Sequence, residues 1–212
     1  MKIVAISDTH GNEIEIPPCD LLIHAGDLTM SGSQDEVERA IGWLLGLKEK
    51  GACQAVVIVP GNHDFFLQDQ SVTLHGDNVW LLRDAGCEFE GVSIWGSPFT
   101  PAFFDWAFME KGNDIQKHWD LIPAGLDILI THGPPFGTLD QNPQGMHCGC
   151  PHLAEALKRI QPKAHIFGHI HHSHGSTWDG KSHNVSICDE GYRPTRSPLE
   201  LEIAPSSYSN KL

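Results

Sequence analysis

Apolar residues in this chain fall in short unbroken runs, at 3–6, 21–25, 55–59, 92–95, 128–130, 165–167, 185–187 and 199–203. A strand covered on both faces has no polar side to alternate with, so runs of this length predict buried strands. Two intervening stretches have helical spacing instead. Ser33 and Glu36 form a capping-box pair ahead of Val37, Ala40, Ile41, Leu44 and Leu45, whose spacing places them on one helix face. Pro151 suits the first turn of a second helix, running to about Ile160. Strands alternating with helices predict an α/β or mixed layered fold. No repeat, linker or low-complexity segment interrupts the pattern. Residues 1–204 are therefore expected to form one domain, followed by a polar tail over 205–212.

Polar residues cluster where five of these runs end. The first run leads to Asp8, Thr9 and His10, and the second to Gly26 and Asp27. The third leads to Gly61, Asn62, His63 and Asp64. Those at 128–130 and 165–167 lead to His132 and Gly133, and to Gly168, His169 and His171. Ligands of sheet-based α/β proteins sit beyond the carboxyl ends of strands, so five such ends converge most simply on one site. Gly26, Gly61, Gly133 and Gly168 are expected to permit sharp turns there. His169 and His171 would point to opposite sides of a continuing strand, so both reach one site only if the chain turns after Gly168.

Composition changes the picture in one direction. The chain has 212 residues and a formal charge of −13, yet its 14 His equal its Lys and Arg together. Imidazole is a poor solubilising group near neutral pH, and so much of it beside so much carboxylate suggests metal. The negative charge argues against tracking a nucleic-acid polymer and against docking on anionic lipid. No apolar run approaches the length of a membrane span, and the first residues lack the pattern of a signal peptide. The six Cys are scattered without the spacing of a secreted domain, as expected of reduced thiols in the cytoplasm.

The five blocks, in this order and over residues 8–171, resemble the signature of calcineurin-like metallophosphoesterases. The stretches at 131–135 and 95–98 further resemble the metallophosphoesterase-domain subfamily related to the mammalian 239FB protein. The resemblance implies two facing mixed β-sheets flanked by helices in four layers. It implies that Asp8, His10 and His171 bind one metal, that Asn62, His132 and His169 bind a second, and that Asp27 bridges both. His63 would reach the substrate phosphate rather than a metal, with Asp64 holding its ring. The expected cofactors are two divalent transition-metal ions, with Mn favoured over Fe or Zn. The expected activity is hydrolysis of a small phosphoester, a diester such as a cyclic nucleotide or aryl ester rather than a monoester. Two cations clamp the attacking and leaving oxygens of an in-line displacement and lower the pKa of bound water. A protein-binding scaffold on the same fold is the competing reading, and the presence of His63 and every ligand position argues against it.

The remaining candidates carry less pattern. His24 reads as a hydrogen-bonded core residue, and His172 and His174 as members of a solvated loop. His147, Cys148, Cys150 and His152 lack a second thiol pair and read as a loop near the site mouth rather than a metal hook. Phe99, Phe103, Phe104, Trp106 and Phe108 admit two readings. The simpler is a satellite core; the other is an apolar wall for an aryl group or nucleobase, or a dimer surface. Arg83 and Arg193 are the candidate phosphate-holding cations, and the turn-rich stretch 189–198 could line the cleft.

Overall fold

In a computed structural model that describes residues 1–69, 72, 74 and 76–204, most of the apolar runs become the inner strands of two sheets. The expected tail over 205–212 lies outside the described residues. The first sheet contains β1 (Lys2–Ile6), β2 (Leu21–His24), β3 (Ala55–Ile58) and β4 (Val79–Leu81), all parallel, with β13 (Leu199–Glu202) antiparallel on the edge beside β1. The second contains β5 (Ala85–Phe89), β6 (Val92–Ser97), β9 (Ile128–Thr131), β10 (Ala164–Phe167), β11 (Gly175–Ser176) and β12 (Ser182–Asn184). Its central strands β6, β9, β10 and β12 are parallel, and its edge strands β5 and β11 antiparallel. A small ribbon of β7 (Thr100–Pro101) and β8 (Met109–Glu110) stands apart from both sheets.

Strand geometry explains why the runs are unbroken. Successive side chains leave opposite faces of a strand. In β1, Ile3 and Ala5 enter a core shared with Ile94, Ile128, Ile130 and Ile166 of the facing sheet. Val4 and Ile6 enter a second core, built against Val37, Ala40, Ile41 and Leu44 of helix α1 (Gln34–Glu49). The outer face of the second sheet packs, through Leu129, on Trp119 of α3 (Gln116–Asp120) and on Leu153, Ala156 and Ile160 of α4 (Pro151–Ile160). The layers are therefore helix, sheet, sheet and helix. One short helix, α2 (Phe65–Asp69), follows the third polar block.

The helix starts follow local chemistry. Ser33 caps α1 by accepting from Glu36 N–H, while the Glu36 carboxylate accepts from Ser33 N–H at 3.3 Å. α4 opens with Pro151 after Cys150, whose Sγ accepts from Leu153 N–H.

One run is misplaced by the hydrophobic pattern. The expected strand at 185–187 instead falls on Ser182–Asn184, which pairs with β10 from His165↔Ser182 to Phe167↔Asn184. Beyond it the chain changes sheets. Val185 N–H still donates to Phe167, but Ser7 N–H donates to Val185 and Ile187 N–H donates to Ser7. Val185 and Ile187 are apolar because they fill the seam between the sheets, one in each core. This crossing brings Ser186 beside β1 and the end of the first polar block.

Candidate metal centre

Two buried carboxylates anchor the site. Asp8 follows β1 and Asp27 follows β2, and both are nearly inaccessible to solvent. Positive φ angles turn the chain at Asp8 (54°), His10 (45°), Asp27 (54°) and His169 (69°). Strain at non-glycine residues is retained where the surroundings over-determine it, commonly at functional sites. Of the four motif glycines, only Gly26 has a positive φ, at 104°. The others are needed for space: a Cβ on Gly61 would sit 2.3 Å from Asp27 Oδ1, and one on Gly168 2.1 Å from Asp8 Oδ2. The turn at His169 resolves the strand-parity problem. His171 then begins a 3₁₀ turn, and the two imidazoles reach different carboxylates.

Three sets of possible ligand atoms lie within 4.8 Å of one another: Asp8 with His10 and His171, Asp27 with His132 and His169, and His10 with Asp27 and His63. His171 Nε2 lies 3.3 Å from Asp8 Oδ1. His132 Nε2 lies 3.3 Å from Asp27 Oδ1 and 2.9 Å from Asn62 Oδ1. Asp27 Oδ2 is turned the other way, 3.9 Å from His10 Nε2. The Asp27 carboxylate thus has one oxygen toward each of the first two sets.

The imidazoles are oriented by the backbone. His10 Nδ1–H donates to Thr29 O at 3.0 Å, His132 Nδ1–H to Ala25 O at 3.0 Å, and His171 Nδ1–H to Asp189 O at 3.0 Å. His63 Nδ1–H donates to Met30 O at 2.7 Å. Each bond assigns the proton to Nδ1 and leaves Nε2 as a lone pair, the tautomer a metal-binding histidine needs. His10 Nε2 and His171 Nε2 then face each other at 3.3 Å. Two lone pairs at that distance repel unless a cation or proton lies between them. This donor set, two carboxylates with imidazoles and one amide oxygen, fits a pair of divalent transition metals.

The electrostatics agree. Burial raises the pKa of Asp8 and Asp27, but the surrounding histidines together outweigh it, led by His171 at Asp8 and His132 at Asp27, holding both carboxyls below their usual range. Burial likewise opposes charge on His132, yet Asp27 pushes its pKa up to about 9. His169, buried and facing His132, is pushed down to about 4. The carboxylates thus set up a field that favours positive charge between these side chains.

Asp64 is placed differently from the expectation. Its carboxylate does not hold the His63 ring. Oδ1 accepts from Thr29 N–H at 3.0 Å and Thr29 Oγ1–H at 2.8 Å, while Oδ2 accepts from Gly61 N–H at 2.8 Å and Leu28 N–H at 3.3 Å. The 61–64 turn directs this side chain inward, so it ties the Asp27 turn to the Asn62 turn, and the Met30 carbonyl holds His63 instead.

Other supports carry no motif. Ser186 Oγ–H donates to Asp8 Oδ2 at 2.8 Å, and His169 N–H donates to the same carboxylate. From the turn-rich stretch, Tyr192 meets His10 edge to face at 4.7 Å between ring centroids. Arg193 pairs with Asp189 at 2.8 Å, and Arg83 donates to Leu67 O. His24 is a buried core residue, accepting from Gly26 N–H and donating to Thr9 Oγ1. The loop around Cys148 is tied by His147 to Asp140, and Cys150 serves as a helix cap. The aromatic segment divides: Phe99 and Phe108 enter the core, while Phe103 and Phe104 are exposed and Trp106 lies against His63.

A profile of the calcineurin-like phosphoesterase family matches residues 1–173. Metallophosphoesterase domain-containing protein 1 of Homo sapiens is 35% identical over 234 residues, covering 95% of this chain and 71% of that protein. A UPF0046 protein of Caenorhabditis elegans is 33% identical, covering 96% of this chain and 60% of its own length. A solved crystal structure, 16% identical, aligns with a TM-score of 0.58 over 88% of this chain and 90% of that chain, a likeness of fold.

Proposed function

The chain belongs to the calcineurin-like phosphoesterase family and is a metal-dependent phosphoesterase, and from that premise we propose that it hydrolyses small phosphodiesters of the cyclic-nucleotide or aryl type. Asp8, His10 and His171 hold one divalent metal. Asn62, His132 and His169 hold the second, and Asp27 spans the two. The observation that carries this reading is the convergence of carbonyl-fixed imidazole lone pairs on two buried carboxylates. Metals bound there, with Mn favoured, make water acidic enough to attack at neutral pH and withdraw charge from phosphoryl oxygens.

The chain's own residues handle the leaving group. A bond forms from the water oxygen to phosphorus as the bond to the ester oxygen breaks. His63, held at Nδ1 by Met30 O, turns Nε2 to that departing oxygen; a proton taken up from solvent at Nε2 makes the ring an imidazolium, which passes that proton to the oxygen. The water's proton passes to solvent. A diester fits better than a monoester because both candidate guanidiniums are engaged elsewhere, Arg193 with Asp189 and Arg83 with Leu67 O. A singly charged phosphodiester needs less cationic help than a dianionic monoester.

Residues 1–204 are read as one domain, supported by β13 pairing with β1 and by Ile203 in the core. A cytoplasmic setting is supported by six free cysteines. Among the described residues no helix is long and apolar enough to cross a membrane. The test is turnover of diesters, monoesters and cyclic nucleotides after loading with Mn²⁺, using His63→Ala as control. Diester hydrolysis that falls about 10²–10⁴-fold in the variant, with both metals retained, is the expected result. A metal-loaded protein that hydrolyses nothing would instead favour the scaffold reading, and metal loss in His63→Ala would make His63 a ligand.

A further inference from the structure

The loop between β7 and β8 places aromatic rings on the rim of the metal centre. Its base is fixed. Thr100 N–H donates to Phe108 O at 3.0 Å, Ala102 N–H to Glu110 O at 2.9 Å, and Ala107 N–H to the Asn62 carbonyl at 3.1 Å. Phe99 and Phe108 pack into the core beneath. The loop is therefore tied to the turn that carries Asn62 and His63, while at its tip Phe103 N–H donates to Met109 Sδ at 3.4 Å. Phe103 and Phe104 are 79% and 61% exposed.

The exposed Phe104 and the half-buried Trp106 are ordered relative to His63. The Trp106 indole meets the His63 imidazole edge to face, with centroids 4.3 Å apart. Phe104 lies nearly parallel to Trp106, at 6.5 Å and 26°. Tyr192 stands near His63 at 6.1 Å. An exposed apolar cluster on a soluble protein marks a binding surface, and this one adjoins the side chain that faces the departing oxygen. A macromolecule seated on Phe104 and Trp106 would cover His63 and close the site. A ring carried on the ester oxygen would reach both without doing so.

We propose that Phe104 and Trp106 form a leaving-group subsite that selects esters whose departing oxygen bears a planar aromatic or heteroaromatic ring. This rests on the phosphodiesterase reading above and deepens it. Phosphodiesters with a ring here gain offset or edge-to-face contacts, and aliphatic leaving groups do not. Trp106 also limits how far the His63 ring can swing from its Met30 anchor.

The test uses the full chain loaded with Mn²⁺ and two methyl phosphodiesters of matched leaving-group basicity, one 4-chlorophenyl and one hexafluoroisopropyl. The wild type should turn over both and prefer the aryl ester in kcat/KM. Phe104→Ala and Trp106→Ala should each cut that preference about 2- to 12-fold, the range for one ring contact. Trp106→Phe should retain most of it. An unchanged ratio overturns the proposal, as does an equal fall for both esters, which would make these rings structural supports of His63. A change from dimer to monomer in sedimentation on Phe104→Ala, with the ratio unchanged, would assign the rings to an interface between copies. If the wild type hydrolyses both esters while the ratio does not move, the phosphodiesterase reading stands and only the subsite falls. If it hydrolyses neither, both fall.

Discussion

Replacing Asp64 by Asn separates two roles for this buried residue. Its carboxylate accepts four hydrogen bonds, from Thr29 N–H, Thr29 Oγ1–H, Gly61 N–H and Leu28 N–H. Asn keeps the shape but offers one acceptor oxygen and turns an NH₂ group toward two donors. A bond to a charged acceptor contributes about 1.5–3 kcal/mol, and two are lost. Part of that loss is offset, because the carboxylate is costly to ionise: burial, and then the charge of Asp27, push its pKa up to about 6. The net destabilisation should be about 2–4 kcal/mol, or roughly 5–15 °C in Tm for a domain of this size. The turns that lose their tie carry Asp27 and Asn62, so metal affinity should fall about 10–100-fold. His63 keeps its Met30 anchor, so kcat at saturating metal should change by no more than a few-fold. Thermal melts with EDTA and with Mn²⁺, metal titration and kcat at saturating Mn²⁺ read these three quantities. Wild-type Tm and metal affinity with turnover abolished would refute the reasoning and return Asp64 to His63.

Asp27→Ala should reduce metal binding in calorimetric titration to at most one ion, because it removes the carboxylate directed at both histidine sets; two ions at unchanged affinity would refute the bridging role. His165 sets an acid limit on stability. Burial pushes its pKa from 6.5 down to about 3, so between those values the unfolded chain binds the extra proton and stability is lost as pH falls. At pH 5 that contribution is about 2 kcal/mol. His165→Asn, which can still donate to Thr131 Oγ1, should flatten the pH dependence of urea-unfolding free energy by that amount between pH 7 and 5. Parallel pH profiles for variant and wild type would refute it.

The inner strands were legible because both of their faces are buried, which leaves unbroken apolar runs. The same rule misplaced one strand. Val185 and Ile187 are as buried as any strand residue, but they fill a seam between sheets, and hydrophobicity does not distinguish a seam from a strand. Edge strands are less legible: β13 falls within the run at 199–203, but β5 alternates between half-covered and exposed positions and β11 has two residues, so neither forms a run. At the site, residues carried by the strand-end blocks were legible because ligand chemistry restricts their type. Their supports were not, because a backbone carbonyl such as that of Met30 can be supplied by any residue, and Ser186 reaches Asp8 from 178 positions away.

The histidine excess has a second cause beside metal. Of the 14 His, several carry no motif and have buried or half-buried polar partners. His165 donates to Thr131 Oγ1, and His183 bonds Ser176 Oγ. Arg at these positions would bring a charge that it cannot shed, and Lys could shed its charge only through a pKa shift of several units. Imidazole sheds its charge within the working pH range and still offers one donor and one acceptor. His24 shows both consequences. Burial pushes its pKa down to about 3, and the neutral ring bridges Gly26 N–H to Thr9 Oγ1, joining the turns that carry Asp27 and Asp8. The excess therefore reflects one property used twice: histidine can be neutral where it is buried, so it serves both as metal ligand and as a link between buried turns.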